Sequence, residues 1–321
     1  MADLDKIITK LPAELTDMVL CGHHLRRATT LQVGGPAKVF CRARTTEQAR
    51  RFQEMAATAE LPCFILGGGS NILADDAGFP GLILRVETDV FQSRGTILTV
   101  GAGLEFDALI QRSLQAGLTG LEFASGIPGT VGGAVMGNAG CYGYEIGEFI
   151  REAVTLGPDG RLRRRGADEF GFRYRATDLR ESGEILLEVV LELEAGDLST
   201  AAAVRQEHLA DRARKHPGRL PSAGSWFRNL PPPAPGARRV AAGHLLEQVG
   251  AKDFAEGDAR VFPKHANMII NTGRATSAQV LRLARRMKRA VRERFDVDLI
   301  QEVRYLDPTA PQGLLDEPAT R

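Results

Sequence analysis

Eight glycines fall between Gly126 and Gly147, and three more stand in a row at Gly67, Gly68 and Gly69. No other feature restricts the fold of this chain as much. Glycine loses more backbone entropy on ordering than any other residue, so neither cluster suits the interior of a helix or strand. The first cluster, "LGGGSN" from Leu66 to Asn71, directly follows the apolar run Cys63-Phe64-Ile65. A strand that ends in glycines presents backbone N–H groups with no Cβ in the way, the arrangement by which a concave loop holds phosphate. A tight turn in an ordinary loop accounts for the same residues, and the pattern is neither a Walker A loop nor a GxGxxG before a helix. The second cluster, "GLEFASGIPGTVGGAVMGNAGCYGYEIG", adds another surface built for close approach. Its interleaved Ile127, Val131, Val135 and Met136 argue against disorder, and loops this long are usually functional. Two such surfaces suit an extended ligand, such as a dinucleotide with a pyrophosphate and two flat ring systems.

The flanking sequence alternates strand and helix signals. Thr45 and Gln48 form a capping box that opens a helix through "TTEQARRFQEMAATAE". "CFIL", "GLILRV", "TILTVGAG" and "EILLEVVLELE" read as strands, and "LEFDALIQRSLQAGL" as a helix with Phe106, Leu109, Ile110 and Leu114 on one face. "STAAAVRQEHLADRARK" reads as a helix that runs into the Pro- and Gly-rich "HPGRLPSAGSWFRNLPPPAPGARR", a composition shift that marks a domain boundary near residues 200 to 215. A second capping box at Thr276 and Gln279 opens a helix whose stripe is Val280, Leu283, Ala284, Met287, Val291 and Phe295. The other face of that helix is crowded with Arg and Lys. The tail 309–321 reads as disordered.

Charge and cysteine usage exclude several function classes. The chain of 321 residues has 41 basic and 40 acidic side chains, so a net charge of +1 gives no global pull toward nucleic acid or membrane. The Arg-rich helix alone could suggest a nucleic-acid binder, but no set of stacking aromatics accompanies it. Cys21, Cys41, Cys63 and Cys141 form no CxxC pair, and "MADLDKIITKLPAEL" is not a signal peptide. The expectation is reduced thiols in a cytosolic protein, with no zinc site and no metal.

Six motifs, in order, resemble those of the UDP-N-acetylenolpyruvoylglucosamine reductase family: "TTLQVGGPA", "LGGGSNILADDAGFPGLIL", "GLEFASGIPGTVGGAVMGNAGCYG", "PSAGSWFRN", "LLEQVGAK" and "KHANMIIN". The resemblance covers about Thr29 to Leu306. The resemblance implies an α+β chain: a two-domain FAD-binding fold of the vanillyl-alcohol-oxidase type (1–88 and 89–205) and a C-terminal α+β substrate-binding domain (206–308). It implies non-covalent FAD, with Gly67, Gly68, Gly69, Ser70 and Asn71 at the pyrophosphate. Gly126, Pro128, Gly129, Thr130, Gly133 and Ala134 would line the other side of the flavin. NADPH would be the hydride donor and a UDP-sugar the substrate, with no nucleic-acid or membrane partner, in a monomer or weak oligomer. The absence of a long Tyr-containing insertion matches the family's shorter subtype.

The implied reaction saturates an enolpyruvyl double bond, so the protein must supply an acid and hold a developing carboxylate-enol charge. By resemblance, Ser225 in "AGSWFRN" protonates C2, Arg175 in "FRYRATDL" binds the carboxylate, and Glu302 in "DLIQEVRYL" stabilises or orients the enol-like species. Read as an alternating strand, "DLIQEVRYL" puts Glu302 on one face with Ile300 and Arg304. Tyr174, Arg228, Asn229 and Lys264 or His265 would bind the nucleotide. Without the resemblance, Ser225 reads as a loop serine, Arg175 as a surface arginine, and His265 as a core histidine. The chain departs from the family in having Arg228-Asn229-Leu230 for Lys-Asn-Pro, Thr29 for Asn, and Cys141 and Tyr144 at positions where small or variable residues are usual. An FAD-dependent oxidase of a sugar or alcohol is the rival reading. Neither glycine cluster has the His beside a Cys found in bicovalent flavin oxidases.

Overall fold

The computed structural model describes residues 7–9, 11–309 and 314–315. The chain divides into two compact units. Unit 1 takes 1–21, 39–68 and 81–212, and unit 2 takes 22–38, 69–80 and 213–321. Each has its own apolar core.

Unit 1 is built on two sheets. In the first, the strands Val19–Cys21, Ala37–Ala43, Phe79–Val86 and Cys63–Leu66 lie side by side in that order, and the last pair is parallel, with Cys63 opposite Leu82. Phe79–Val86 is buried along most of its length, as a run of Leu82, Ile83 and Leu84 requires. The second sheet is antiparallel: Leu162–Gly166, Ile150–Leu156, Ile185–Glu192, Ile97–Gly101 and Phe91–Arg94. Its longer helices and the short one in the second glycine cluster are α1 (Thr46–Thr58), α2 (Phe106–Gln115), α3 (Val131–Met136) and α4 (Leu198–Lys215), the last of which passes into unit 2 at Ala213. Helix α1 starts where its capping box places it: the Gln48 N–H donates to Thr45 Oγ1 and the Thr45 N–H to Gln48 Oε1, both at 3.2 Å. Phe52 of α1 and Phe106, Leu109 and Ile110 of α2 are buried with Val39, Leu82, Val100 and Val189. Each side chain of that size contributes about 1.5–3 kcal/mol on burial.

Unit 2 carries an antiparallel sheet of Ser222–Ser225, His265–Asn271, Ala259–Phe262 and Ala255–Glu256. Arg304–Leu306 pairs in parallel with Ile72–Ala74 and antiparallel with Leu314–Leu315. Helices α5 (Ala242–Gln248) and α6 (Ser277–Phe295) complete it. Val280, Leu283, Ala284, Met287 and Val291 of α6 are buried with Trp226, Phe227, Ile269 and Tyr305, so the stripe read from the sequence faces the core. On the arginine-rich face, Arg282 and Arg286 lie near Glu256, and Arg292 pairs with Asp296 and Asp298. Apart from 309 and the backbone of 314–315, the expected disordered tail falls outside the described residues.

Candidate active site

Within unit 1 the two glycine clusters meet. A Cβ on Gly67 would come within 2.7 Å of Thr130 Oγ1, and one on Gly68 within 2.8 Å of Gly129 Cα. Real Cβ atoms do not approach backbone that closely, so glycine at Gly68 is required for the loops to touch. This brings Gly67, Gly68, Gly129 and Thr130 together. Gly69, with φ +67°, turns the chain into unit 2, where a Cβ on it would strike the carbonyl of Ala28.

The second cluster is more regular than its composition suggests. Val131–Met136 forms α3, with Thr130 as its cap: the Gly133 N–H donates to Thr130 Oγ1 at 3.3 Å, and the Ala134 N–H to the Thr130 carbonyl. The Val131 and Gly132 amides donate to the carbonyls of Leu104 and Ala102. With these N–H groups committed, Gly133 and Ala134 can offer a flat ring a close surface but no donors. The start of the loop is anchored just as firmly. Asp107 accepts from the Gly126 N–H at 2.7 Å and from both terminal nitrogens of Arg205, each at 2.7 Å, and Arg212 Nε donates to the Gly126 carbonyl. The Arg205 hydrogen bonds hold the Asp107 carboxyl below the usual carboxylate range. Arg205 and Arg212 sit two turns apart on α4, so a single helix face fixes this loop.

Tyr174 and Arg175 occupy a tight turn, Arg173 to Ala176, closed by reciprocal N–H to carbonyl bonds of 3.0 Å. Arg175 takes φ +58°, a left-handed conformation uncommon for a residue with a side chain. Its Nη2 donates to the Gly140 carbonyl at 3.1 Å, and its guanidinium lies 5.4 Å from the centre of the Tyr174 ring.

Unit 2 brings Ser225 and Glu302 onto neighbouring segments. Ser225 ends its strand opposite Met268, and the next residue, Trp226, is completely buried. The Glu302 N–H donates to the Trp226 carbonyl at 2.8 Å, Phe227 bridges Gln301, and the Arg228 N–H donates to the Ile300 carbonyl. The regular strand begins only at Arg304, so Glu302 is not part of an alternating strand with Ile300. Pairing with Trp226–Arg228 directs this stretch instead. Asn71 links the first glycine motif to it: Asn71 Nδ2 donates to the Glu302 carbonyl at 3.1 Å, and the Arg304 N–H to the Asn71 carbonyl.

Asn267 is the residue that sequence reasoning missed. It is 2% exposed, and its carboxamide accepts from the Phe227 N–H at 2.9 Å and donates to the Phe227 carbonyl at 2.8 Å. Its backbone carbonyl accepts from the Trp226 N–H. The available signal was a lone Asn inside the apolar run "ANMII". Of the other substrate candidates, Asn229 Oδ1 accepts from the Ala242 N–H, and Lys264 is exposed. Lys264 and His265 lie where the strand that pairs with Ser225 begins. His265 Nδ1 accepts from the Asn267 N–H, and burial pushes the imidazole's pKa down against the raising effect of Glu247.

Two family models match the chain. Residues 37–166 match the model of an FAD binding domain, and 216–306 match "UDP-N-acetylenolpyruvoylglucosamine reductase, C-terminal domain". UDP-N-acetylenolpyruvoylglucosamine reductase 2 of Symbiobacterium thermophilum is 38% identical over 87% of this chain and 89% of its own. The chain belongs to the UDP-N-acetylenolpyruvoylglucosamine reductase family. A further member, from Moorella thermoacetica, is 37% identical over 94% of this chain and 97% of its own. The crystal structure of the reductase from Thermus caldophilus superposes with a TM-score of 0.74 at 33% identity, covering 89% of this chain and 97% of that one. Family membership makes the protein an FAD-dependent oxidoreductase with an α+β architecture. The paired loops at Gly67–Gly68 and Gly129–Thr130 lie inside the matched FAD-binding region, 37–166. Among the described residues no group of His, Cys, Asp and Glu is arranged to hold a metal ion, and no helix is long and apolar enough to cross a membrane.

Proposed function

We propose that this chain reduces the enolpyruvyl group of UDP-N-acetylenolpyruvoylglucosamine to the lactyl ether of UDP-N-acetylmuramate, with NADPH as reductant, in peptidoglycan precursor synthesis. The observation that carries the reading is the presence in one chain of both family regions, FAD-binding at 37–166 and reductase-specific at 216–306. Bound FAD would take hydride from NADPH and pass it to C3 of the enolpyruvyl group. The residues of this chain then have three tasks. Ser225 Oγ delivers a proton to C2, a role that a hydroxyl fills only when its neighbours restore the proton or hold the alkoxide. The Arg175 guanidinium binds the substrate carboxylate through two parallel hydrogen bonds and holds the charge that develops there. Glu302, tethered through its N–H to the segment after Ser225, orients the enol-like group.

Gly67 to Asn71 would hold the FAD pyrophosphate, and Gly126, Pro128, Gly129, Thr130, Gly133 and Ala134 would face the flavin. Tyr174, Arg228, Asn229 and Lys264 or His265 would bind the nucleotide. In this reading, 1–88 and 89–205 clamp the cofactor, 206–308 covers the substrate, and the protein works in the cytoplasm as a monomer or weak oligomer.

The test is the visible spectrum of the purified protein. A flavin band bleached by NADPH and restored anaerobically by UDP-N-acetylenolpyruvoylglucosamine is the expected result. Rapid reoxidation by air, with no response to the nucleotide, would overturn the reading in favour of an oxidase.

A further inference from the structure

Asn138 lies just beyond α3 and has no part in the chemistry described above. It is 1% exposed and adopts φ +42°, in the left-handed region. Asn tolerates that region better than most residues with a side chain, because its short carboxamide can bond locally. Here the carboxamide instead bonds three residues on two separate segments. Nδ2 donates to the carbonyl of Arg173 at 3.1 Å and to Glu145 Oε2 at 2.5 Å. Oδ1 accepts from the Gly147 N–H at 3.1 Å. Gly147 is what lets that segment close in, because a Cβ there would lie 2.9 Å from Asn138 Oδ1 and 2.7 Å from Phe172 Cγ.

Both segments lead to Arg175. Arg173 is the first residue of the turn that carries Arg175. Glu145 ends a short hairpin in which Gly140–Cys141 pairs with Tyr144–Glu145, and both loop residues, Tyr142 at φ +54° and Gly143 at φ +95°, are left-handed as a two-residue type I′ loop requires. On the opposite strand, the Gly140 carbonyl, at the residue paired with Glu145, accepts from Arg175 Nη2. Asn138 therefore grips the base of the turn and one strand of the hairpin, and Arg175 touches the partner strand at the paired residue. The chain just beyond the turn is held as well: Thr177 Oγ1 and Arg180 Nη2 both donate to the Met136 carbonyl at the end of α3. A four-residue turn with a left-handed arginine is strained, and such strain persists only where the surroundings over-determine it.

We infer that Asn138 is a positioning residue for Arg175, fixing the Arg173–Ala176 turn against the Gly140–Glu145 hairpin so that the guanidinium is aimed before substrate arrives. This rests on the reading of Arg175 as the group that binds the enolpyruvyl carboxylate. A displacement of about 1 Å at such a group costs on the order of 10²-fold in rate, so loss of the carboxamide should appear in one half-reaction only.

The test is a double-mutant cycle with two versions of the first mutation. Asn138→Gly accepts the left-handed backbone and removes the carboxamide. Asn138→Asp keeps the size and the acceptor for Gly147 but loses both donors and sets a carboxylate against Glu145. In anaerobic stopped flow, both variants should retain FAD and be reduced by NADPH within about twofold of the parent rate. Reoxidation by UDP-N-acetylenolpyruvoylglucosamine should slow by a factor of roughly 10 to 100. In an Arg175→Ala background the same substitutions should cost nothing further in that step. Additive losses would overturn the inference, as would equal losses in both half-reactions or loss of flavin from both variants, since the carboxamide would then serve the fold. If Arg175→Ala alone reoxidises at the parent rate, the reading of Arg175 falls, and the inference falls with it. That outcome is distinct from one in which Arg175→Ala is slow and the Asn138 variants are fast.

Discussion

Arg175 and Ser225 are supported in opposite ways. Arg175 stands in a tight turn at positive φ, its guanidinium tied to the carbonyl of another loop. Ser225 ends a sheet strand, followed by a fully buried tryptophan and a segment whose polar groups are paired by Asn267 and Glu302. The contrast suits the two tasks. A guanidinium binds a carboxylate through a planar fork whose two parallel bonds need a fixed aim, which the tied turn supplies. A hydroxyl must protonate one carbon from one face, and a packed strand is a stiff support for it. In the proposed reaction, unit 1 therefore uses glycine and strain for close approach to a large ligand, and unit 2 uses apolar burial to place a single atom.

Three substitutions grade this contrast, from the largest effect to the smallest. Gly68→Val places a side chain where a Cβ alone would be 2.8 Å from Gly129 Cα, so the two glycine loops must part. The purified variant should be colourless, with the absorbance of bound flavin lost, and a fully yellow protein would show that loop contact is not what holds FAD. Asn267→Ala leaves the buried N–H and C=O of Phe227 without partners, at a cost of about 1–3 kcal/mol for each group. A lower melting temperature and about tenfold slower reoxidation by substrate are expected, with NADPH reduction preserved. An unchanged melting temperature would mean that unit 2 does not rely on this clamp. Thr45→Ala removes only the cap of α1, worth about 1 kcal/mol. It should lower denaturant stability by that amount and leave both half-reactions alone. A slowed half-reaction there would break the distinction between scaffold and site.

What could be read from the sequence follows from how local each signal is. The capping boxes at Thr45–Gln48 and Thr276–Gln279 are complete within four residues, and both helices begin where those boxes place them. The glycine clusters were legible as surfaces for close approach, because only glycine permits it. Helix α3 was not, since Gly132 and Gly133 lower its intrinsic propensity and burial of Val131 and Val135 overrides that deficit. Glu302 was read as part of a regular strand because alternation cannot reveal that Gln301 bridges Phe227, a residue far away in sequence. Asn138 and Asn267 bond partners 35 and 40 residues away, so the chain around them cannot name those partners, even where a lone Asn in an apolar run marks Asn267 as buried. The make-up of unit 2 is hidden for the same reason, as 22–38 and 69–80 join it from the middle of unit 1.

Ser225→Ala tests the central claim most directly, that unit 2 places a proton donor for the second half of the reaction. The change removes one hydroxyl from a half-buried strand end, so FAD content and bleaching by NADPH should match the parent protein. Anaerobic mixing of the reduced variant with UDP-N-acetylenolpyruvoylglucosamine should then show flavin reoxidation slowed by a factor on the order of 10² to 10⁴, the usual weight of a positioned general acid. Ser225→Cys should recover part of that loss, because a thiol can also deliver a proton. Reoxidation of Ser225→Ala at the parent rate would contradict the account and remove Ser225 from the chemistry.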